Sequence, residues 1–306
     1  MIVLLVPCVV IGEAFAGLEE GRDALQNGDF ATALIELLPL ADHGSAEAQV
    51  LLGEMYLSGR GTAQNDQQAL EWFRKAAAQG YAPAQNYLGN VYVDDARVPQ
   101  DDKLAAEWFR KAAEQGFAPA QHNLGNMYLN GRGVPQNDVQ AIAWYRKAAM
   151  QGYEPAEHNL GFSYFNGRGV PQDDRLAVEW YRKAAAQGFA TSQNNLGVMY
   201  QSGRGGLPQD DQQAATWYRK AAEQGIADAQ LNLGNLYFHG LGVPRDDVLA
   251  YMLFNLAAAS GDKTAASRRA SIAPNLSSKQ IEQANELTKT WKPGAPLPTQ
   301  GEATSK

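Results

Sequence analysis

Thirty-six residues at positions 117–152, FAPAQHNLGNMYLNGRGVPQNDVQAIAWYRKAAMQG, are matched by near-copies along much of the chain. Residues 81–116 read YAPAQNYLGNVYVDDARVPQDDKLAAEWFRKAAEQG, and 153–188 read YEPAEHNLGFSYFNGRGVPQDDRLAVEWYRKAAAQG. Further copies occupy 45–80, 189–225 and 226–261, the fifth being one residue longer in its glycine-rich turn. Six tandem copies constrain the fold strongly. A unit this short cannot bury its apolar face alone, so neighbours must stack into an array and not collapse around one core.

The chemistry of one copy specifies a helical hairpin. Ala120, Leu124 and Tyr128 recur every four residues and line one face of a first helix. Gly125 shares that face in the helix interior, where glycine costs roughly 1 kcal/mol relative to alanine. The same cost is repeated at Gly53, Gly89, Gly161, Gly197 and Gly234, which predicts an approach too close for a Cβ. Gly131, Gly133 and Pro135 then break the helix, and Asn137 or Asp138 is placed to cap a second one. That helix carries an i, i+3, i+4, i+7, i+8 stripe of Ala141, Trp144, Tyr145, Ala148 and Ala149, read as core. Gly152, followed by an apolar residue, predicts a Schellman stop, and Pro83, Pro119 and Pro155 suit the first turn of the next helix.

The pattern A-x-A-Q-x-x-L-G-x-x-Y-x-x-G-x-G-V, then D-x-x-x-A-x-x-W-Y-x-K-A-A-x-Q-G, resembles the Sel-one-like repeat, a longer-turned relative of the tetratricopeptide repeat. The likeness covers residues 45–261. It implies an all-α fold, a right-handed α-solenoid of stacked helix hairpins, with six full repeats between degenerate terminal caps. It also implies protein–protein interaction on a curved helical surface, and the chain is read as a non-enzymatic scaffold or adaptor holding a partner protein or peptide in its concave groove. The alternatives are a structural envelope or secreted surface factor acting through its outer face, or a hydrolase. Some secreted members of the family are cysteine-rich. This chain, with Cys8 alone, is not of that type and excludes both an internal disulfide framework and a cysteine-based zinc site.

A net charge of −7 disfavours nucleic acid as a partner, since such binders need a basic footprint. Residues 1–16, MIVLLVPCVVIGEAFA, hold an apolar run too short to span a bilayer, which needs about 20 residues, so no stable membrane insertion is expected. The Ala14-Phe15-Ala16 ending suits a signal peptide cleaved before Gly17 and a periplasmic or secreted protein, expected to be monomeric. The alternative is an apolar cap helix in a cytoplasmic protein, against which Pro7 and the valine-rich stretch argue. Cys8 follows a proline with almost no apolar run before it, so lipidation is not expected.

Residues 17–44 read as a degenerate hairpin. Asp29 caps its second helix, Pro39 should kink it, and His43 in its last turn suits the helix dipole. At the other end Asn255-Leu256 replaces the recurring Arg-Lys pair, so a cover is required. Residues 262–292 supply it. Ser277 and Gln280 make a capping box, Leu276 and Ile281 a hydrophobic staple, and the helix after them closes the array. Residues 293–306 read as a disordered tail.

No catalytic constellation is found. Ser260-Gly261-Asp262-Lys263 fits S-x-x-K but falls on a helix-ending glycine without the companion motifs. Asp94, Asp95, Asp101 and Asp102 gather around one loop. Asp101 and Asp102 stand where each copy has its capping pair, and Arg97 can neutralise a neighbour, so calcium is not inferred. His122 and His158 hold one position in neighbouring copies, but helices stacked about 8–10 Å apart do not suit a shared zinc. No cofactor and no metal are expected.

The copies can also be read against each other. Positions that repeat are structural, and positions that vary on one face are candidates for partner binding. The variable face of the first helix is the sixth, tenth, thirteenth and fourteenth residues of each copy. It comprises Val50, Glu54, Leu57, Ser58, then Asn86, Asn90, Val93, Asp94, then His122, Asn126, Leu129, Asn130. It continues as His158, Phe162, Phe165, Asn166, then Asn194, Val198, Gln201, Ser202, then Leu231, Asn235, Phe238, His239. In the tetratricopeptide relatives the equivalent face lines the concave groove. The thirteenth position is apolar in five copies, so core packing competes with binding at Leu129, Phe165 and Phe238. Phe162 stands apart, because its counterparts are asparagine, glutamate or valine.

Overall fold

The computed structural model describes residues 8–94 and 98–299, with side chains from Gly17 onward. The first residues of the expected leader, Asp95 and Arg97 of the acidic loop, and residues 300–306 of the tail lie outside the described residues. The helices run α1 (Cys8–Gln26), α2 (Phe30–Asp42), α3 (Ala46–Ser58), α4 (Asp66–Ala78), α5 (Ala82–Asp94), α6 (Asp102–Glu114), α7 (Ala118–Asn130) and α8 (Asp138–Ala149). They continue as α9 (Glu154–Asn166), α10 (Asp174–Ala186), α11 (Ala190–Ser202), α12 (Asp211–Glu223), α13 (Ala227–His239), α14 (Asp247–Ala259), α15 (Lys263–Ile272) and α16 (Ser278–Thr290). A 3₁₀ turn, Ala273–Asn275, joins the last two, and no strand occurs among the described residues. The chain divides into two compact units, Met1–Ala148 and Ala149–Lys306. Consecutive helices pack on one another from α1 to α7 in the first unit and from α9 to α15 in the second, where α16 packs on α14.

The local rules operate as the sequence implied. Asn65, Asp101, Asp173, Asp210 and Asp246 each accept a backbone N–H from the first turn of the second helix that follows them. Asn137 accepts from Gln140 N–H at the start of α8 (3.0 Å). At the end of α4, Tyr81 N–H reaches the Ala76 carbonyl and Gly80 N–H that of Ala77, with Gly80 at φ +89°, a Schellman stop. The interior glycines admit the aromatic ring of their own hairpin partner. A Cβ at Gly125 would stand 2.5 Å from the Tyr145 ring, and one at Gly161 2.6 Å from that of Tyr181.

One core assignment changes. Tyr145 is completely buried, as are Ala141 and Ala148, and Ile142 is also buried. Trp144 is only half-buried against the core, and Lys147 lies 3.9 Å above its ring. The ammonium and the amphipathic indole favour each other at the rim of the core.

Neighbouring repeats are also joined by polar bonds. The fifth residue of a copy is a buried glutamine that donates to the preceding second helix, as Gln121 does to the Ala113 carbonyl (3.1 Å) and Gln193 to that of Ala185 (3.3 Å). It also accepts from a glutamine at the end of its own second helix, Gln115 to Gln85 and Gln224 to Gln193, both at 2.8 Å. The first residue of a second helix makes a further link: Asp102 pairs with Arg132, and Asp174 with Arg204. Asp101 therefore caps α6 while Asp102 serves the next repeat. The Arg132 hydrogen bond holds the Asp102 carboxyl below its ordinary range.

The fourth copy breaks the glutamine pattern with Glu157, which is 3% exposed and accepts from Gln187 (2.8 Å). Burial pushes its carboxyl up, against the Gln187 hydrogen bond and the nearby Lys183 charge, with Glu154 adding to the rise. A raised carboxyl stabilises the fold when protonated, and that contribution is lost as pH rises through the folded-state value. Glu157→Gln removes the buried carboxyl and restores the amide that the other copies carry at this position. We expect the variant to gain about 1 kcal/mol over the parent at pH 7, with the gap closing towards pH 4. Denaturant melts at several pH values check this, and a pH-independent difference contradicts it.

The ends depart from the repeat. Asp29 accepts from Thr32 to cap α2, α2 continues through Pro39 to Asp42, and His43 Nδ1 donates to the Pro39 carbonyl (2.6 Å). Helix α1 runs without interruption through Ala16–Gly17. At the C-terminal end α14 buries Val248, Leu249, Met252, Leu253 and Asn255, where α12 carries Gln212, Gln213, Thr216, Trp217 and Arg219. A helix apolar all round must be covered on both sides, and α15 and α16 pack on it. The Ser277–Gln280 capping box forms, and Leu276 and Ile281 join one apolar cluster. The segment from Pro293, expected to be disordered, is held as far as Thr299. Gly294 N–H donates to the Glu223 carbonyl, Leu297 N–H to the Glu223 carboxylate and Arg219 to the Leu297 carbonyl, while the Leu297 side chain is buried. One leucine and three hydrogen bonds to α12 outweigh the proline-rich composition.

Candidate functional site

The variable face lies on α3, α5 and α7 in the first unit and on α9, α11 and α13 in the second. In the first unit it is a hydrogen-bonded seam. Asn123 donates to Asn86 (3.0 Å) and Asn90 (3.3 Å) on the preceding first helix. Asn126 accepts from the buried Tyr145 hydroxyl (2.6 Å), and Asn130 donates back to the Asn126 carbonyl. Leu129 is half-buried and Asn130 exposed. The His122 ring lies 5.7 Å from that of Tyr145, and burial lowers its pKa, so it stays neutral.

In the second unit His158 Nδ1 meets Ser192 Oγ at 2.8 Å, with the rings of Tyr181 and Phe189 5.8 and 5.1 Å away. Phe165 is half-buried against the core, under the Arg204 guanidinium at 4.3 Å. Gln201 accepts from the Tyr218 hydroxyl (2.9 Å), and Ser202 donates to the Val198 carbonyl. Val198 and Phe238 pack on the last core cluster. Arg245 lies 5.3 Å over the Phe238 ring, and the exposed His239 meets that ring edge-on. Asn235 is half-buried, and Asn194 accepts from Asn232 (3.1 Å).

Phe162 is the large apolar side chain on this face that points to solvent, 45% exposed, while Asn166 fixes the backbone beside it by donating to the Phe162 carbonyl (2.9 Å). Much of the remaining face is therefore internal structure. Tyrosine hydroxyls of the second helices and asparagines of neighbouring first helices already satisfy Asn126, Gln201, Asn86 and Asn194. Sequence reasoning missed Asn123 and Asn232. Asparagine fills the seventh position in four of the six copies, and that recurrence was the available signal.

Together these hairpins define a repeat solenoid, and the chain belongs to the Sel1 repeat family. The Sel1 repeat model matches residues 46–81, 82–117, 118–153, 155–189, 190–226 and 227–262. Proteins built from this repeat are generally protein–protein interaction scaffolds. Among solved structures, a protective antigen present in uropathogenic Escherichia coli strains and displaying an SLR fold is 40% identical, with a TM-score of 0.73 over 83% of this chain and 54% of the relative. A Sel1 repeat protein from Oxalobacter formigenes is 36% identical, with a TM-score of 0.69 over 84% of this chain and 74% of the relative. The chain thus spans about half the length of the Escherichia coli protein. Comparison with curated proteins gives no match. No helix among the described residues is long and apolar enough to cross a membrane.

Proposed function

We propose that the chain is an exported, non-enzymatic adaptor that holds a partner protein or peptide on the first-helix face of its second unit. The observation that carries this reading is Phe162, an aromatic left 45% exposed on a face whose other apolar members are half-buried. An exposed aromatic amid fixed polar groups is the usual form of an interface anchor, whose truncation costs about 2 kcal/mol or more. Export is supported by the apolar N-terminal segment ending Ala14-Phe15-Ala16. It also fits a 40% identical relative that is described as a protective antigen. N-terminal sequencing of the protein from its native source tests export. A chain beginning near Gly17 supports it, and an intact Met1 favours a cytoplasmic adaptor.

Affinity capture from an envelope extract, with mass spectrometry, identifies the partner. Phe162→Ala is then expected to weaken binding at least about tenfold, the equivalent of about 1.4 kcal/mol, with the melting temperature nearly unchanged. Loss of stability would make Phe162 core, and unchanged binding would move the interface to the outer face of the second helices. Turnover of a hydrolase substrate by purified protein would overturn the non-enzymatic reading.

A further inference from the structure

The C-terminal cover does more than close the array. In several copies an arginine of the second helix spans to the tyrosine hydroxyl of the next first helix, as Arg110 does to Tyr128, Arg182 to Tyr200 and Arg219 to Tyr237. In the last copy that arginine is replaced by Asn255. The shorter side chain leaves an open cleft of about 360 Å³ between α14, α15 and α16, floored by alanines and rimmed by Arg269, Asn285 and Lys289. Asn255 is 8% exposed and fully engaged. Its amide nitrogen donates to Asn285 Oδ1 (3.0 Å) and approaches Thr288 Oγ (3.4 Å), and its oxygen accepts from Arg269 (3.3 Å).

These bonds fix the polarity of the cleft. Asn285 accepts through its oxygen, which leaves its amide nitrogen to donate. Thr288 spends its own proton on the Ala284 carbonyl (2.7 Å). Arg269 makes one long bond to a neutral acceptor and pairs with no carboxylate among the described residues, so most of its donor fork is unspent. Among the described residues Lys289 has only a loose, exposed contact with Glu286 at 3.7 Å. The surroundings have the same sign. Residues 262–292 carry six basic and three acidic side chains, a net +3 in a chain of net −7.

We propose that this cleft binds an oxyanion, a carboxylate or phosphate group held by Arg269, Lys289 and the Asn285 amide, with Asn255 positioning Arg269. It lies on the cover, apart from Phe162, and does not depend on the adaptor reading. The test is a titration of the full-length chain with inorganic phosphate at constant ionic strength, followed by NMR of the Arg269 Nε–H and Asn285 side-chain amide. Saturable shifts are expected, with Arg269→Gln weakening binding by about tenfold or more and Arg268→Gln, the same charge change next door, leaving it nearly unaltered. Asn285→Ala removes a donor without altering charge and is expected to weaken binding as well. A tri-glutamate peptide that competes for the same resonances assigns the site to acidic side chains of a polypeptide, and binding of phosphate alone assigns it to a free oxyanion. If neither probe saturates, or if Arg268→Gln weakens binding as much as Arg269→Gln, the proposal is overturned.

Discussion

Removing residues 262–306 is expected to turn the protein into a self-associating chain. The deletion strips the cover from α14, whose Val248, Leu249, Met252 and Leu253 are buried although it is a second helix like the polar α12. It also removes Ile272, Leu276, Ile281, Leu287, Trp291 and Leu297 from the last core cluster. At roughly 1.5–3 kcal/mol for each fully buried large apolar side chain, the lost burial is on the order of 10 kcal/mol before ordering entropy is set against it. Size-exclusion chromatography with light scattering should show oligomers or precipitation, together with a lower melting temperature. A truncated chain that stays monomeric and melts like the parent would show that the cover is dispensable. Because repeat arrays couple only to their neighbours, the first unit should keep its helicity when the end of the second is lost.

The second large effect separates two adjacent aromatic residues. Tyr145→Ala should cost about 3–5 kcal/mol, as for other deletions of a buried large side chain. It empties the space over Gly125 and leaves Asn126 without the hydroxyl it accepts from. Trp144→Ala should cost only about 1–2 kcal/mol, since its ring is half-buried and its neighbour Lys147 can remain solvated. Tyr145→Phe isolates the hydroxyl, worth about 1 kcal/mol. Denaturant unfolding of the three variants gives the order, and equal losses for the tryptophan and tyrosine deletions would refute the assignment of rim and core.

Much of this hairpin was legible because local rules and the repeat agree. Asn137 caps, Gly152 stops, and Gly125 implied the close approach that the Tyr145 ring makes. Trp144 was misplaced because helical spacing allots it to the same stripe as Tyr145. Periodicity gives the direction a side chain points and not how far solvent follows it. The tail was misread because composition cannot show that Glu223 and Arg219 offer partners to residues 294–297. On the candidate face, variation between copies located Phe162 but could not separate a residue free to meet a partner from one, such as Asn126 or Gln201, already bonded within its own hairpin.

The junction bonds bear on how such a chain changes length over generations. Gln85 to Gln115, Asp102 to Arg132 and Asp174 to Arg204 each span thirty residues and tie a copy only to itself or to its immediate neighbour. Gain or loss of one interior copy by recombination between near-identical stretches would recreate the same bonds at the new seam. Interior copies are therefore interchangeable coinage for evolution. The copy containing α14 is not, because two-sided burial ties it to the helices that follow. Growth is permitted anywhere inside the array and forbidden at its closed end.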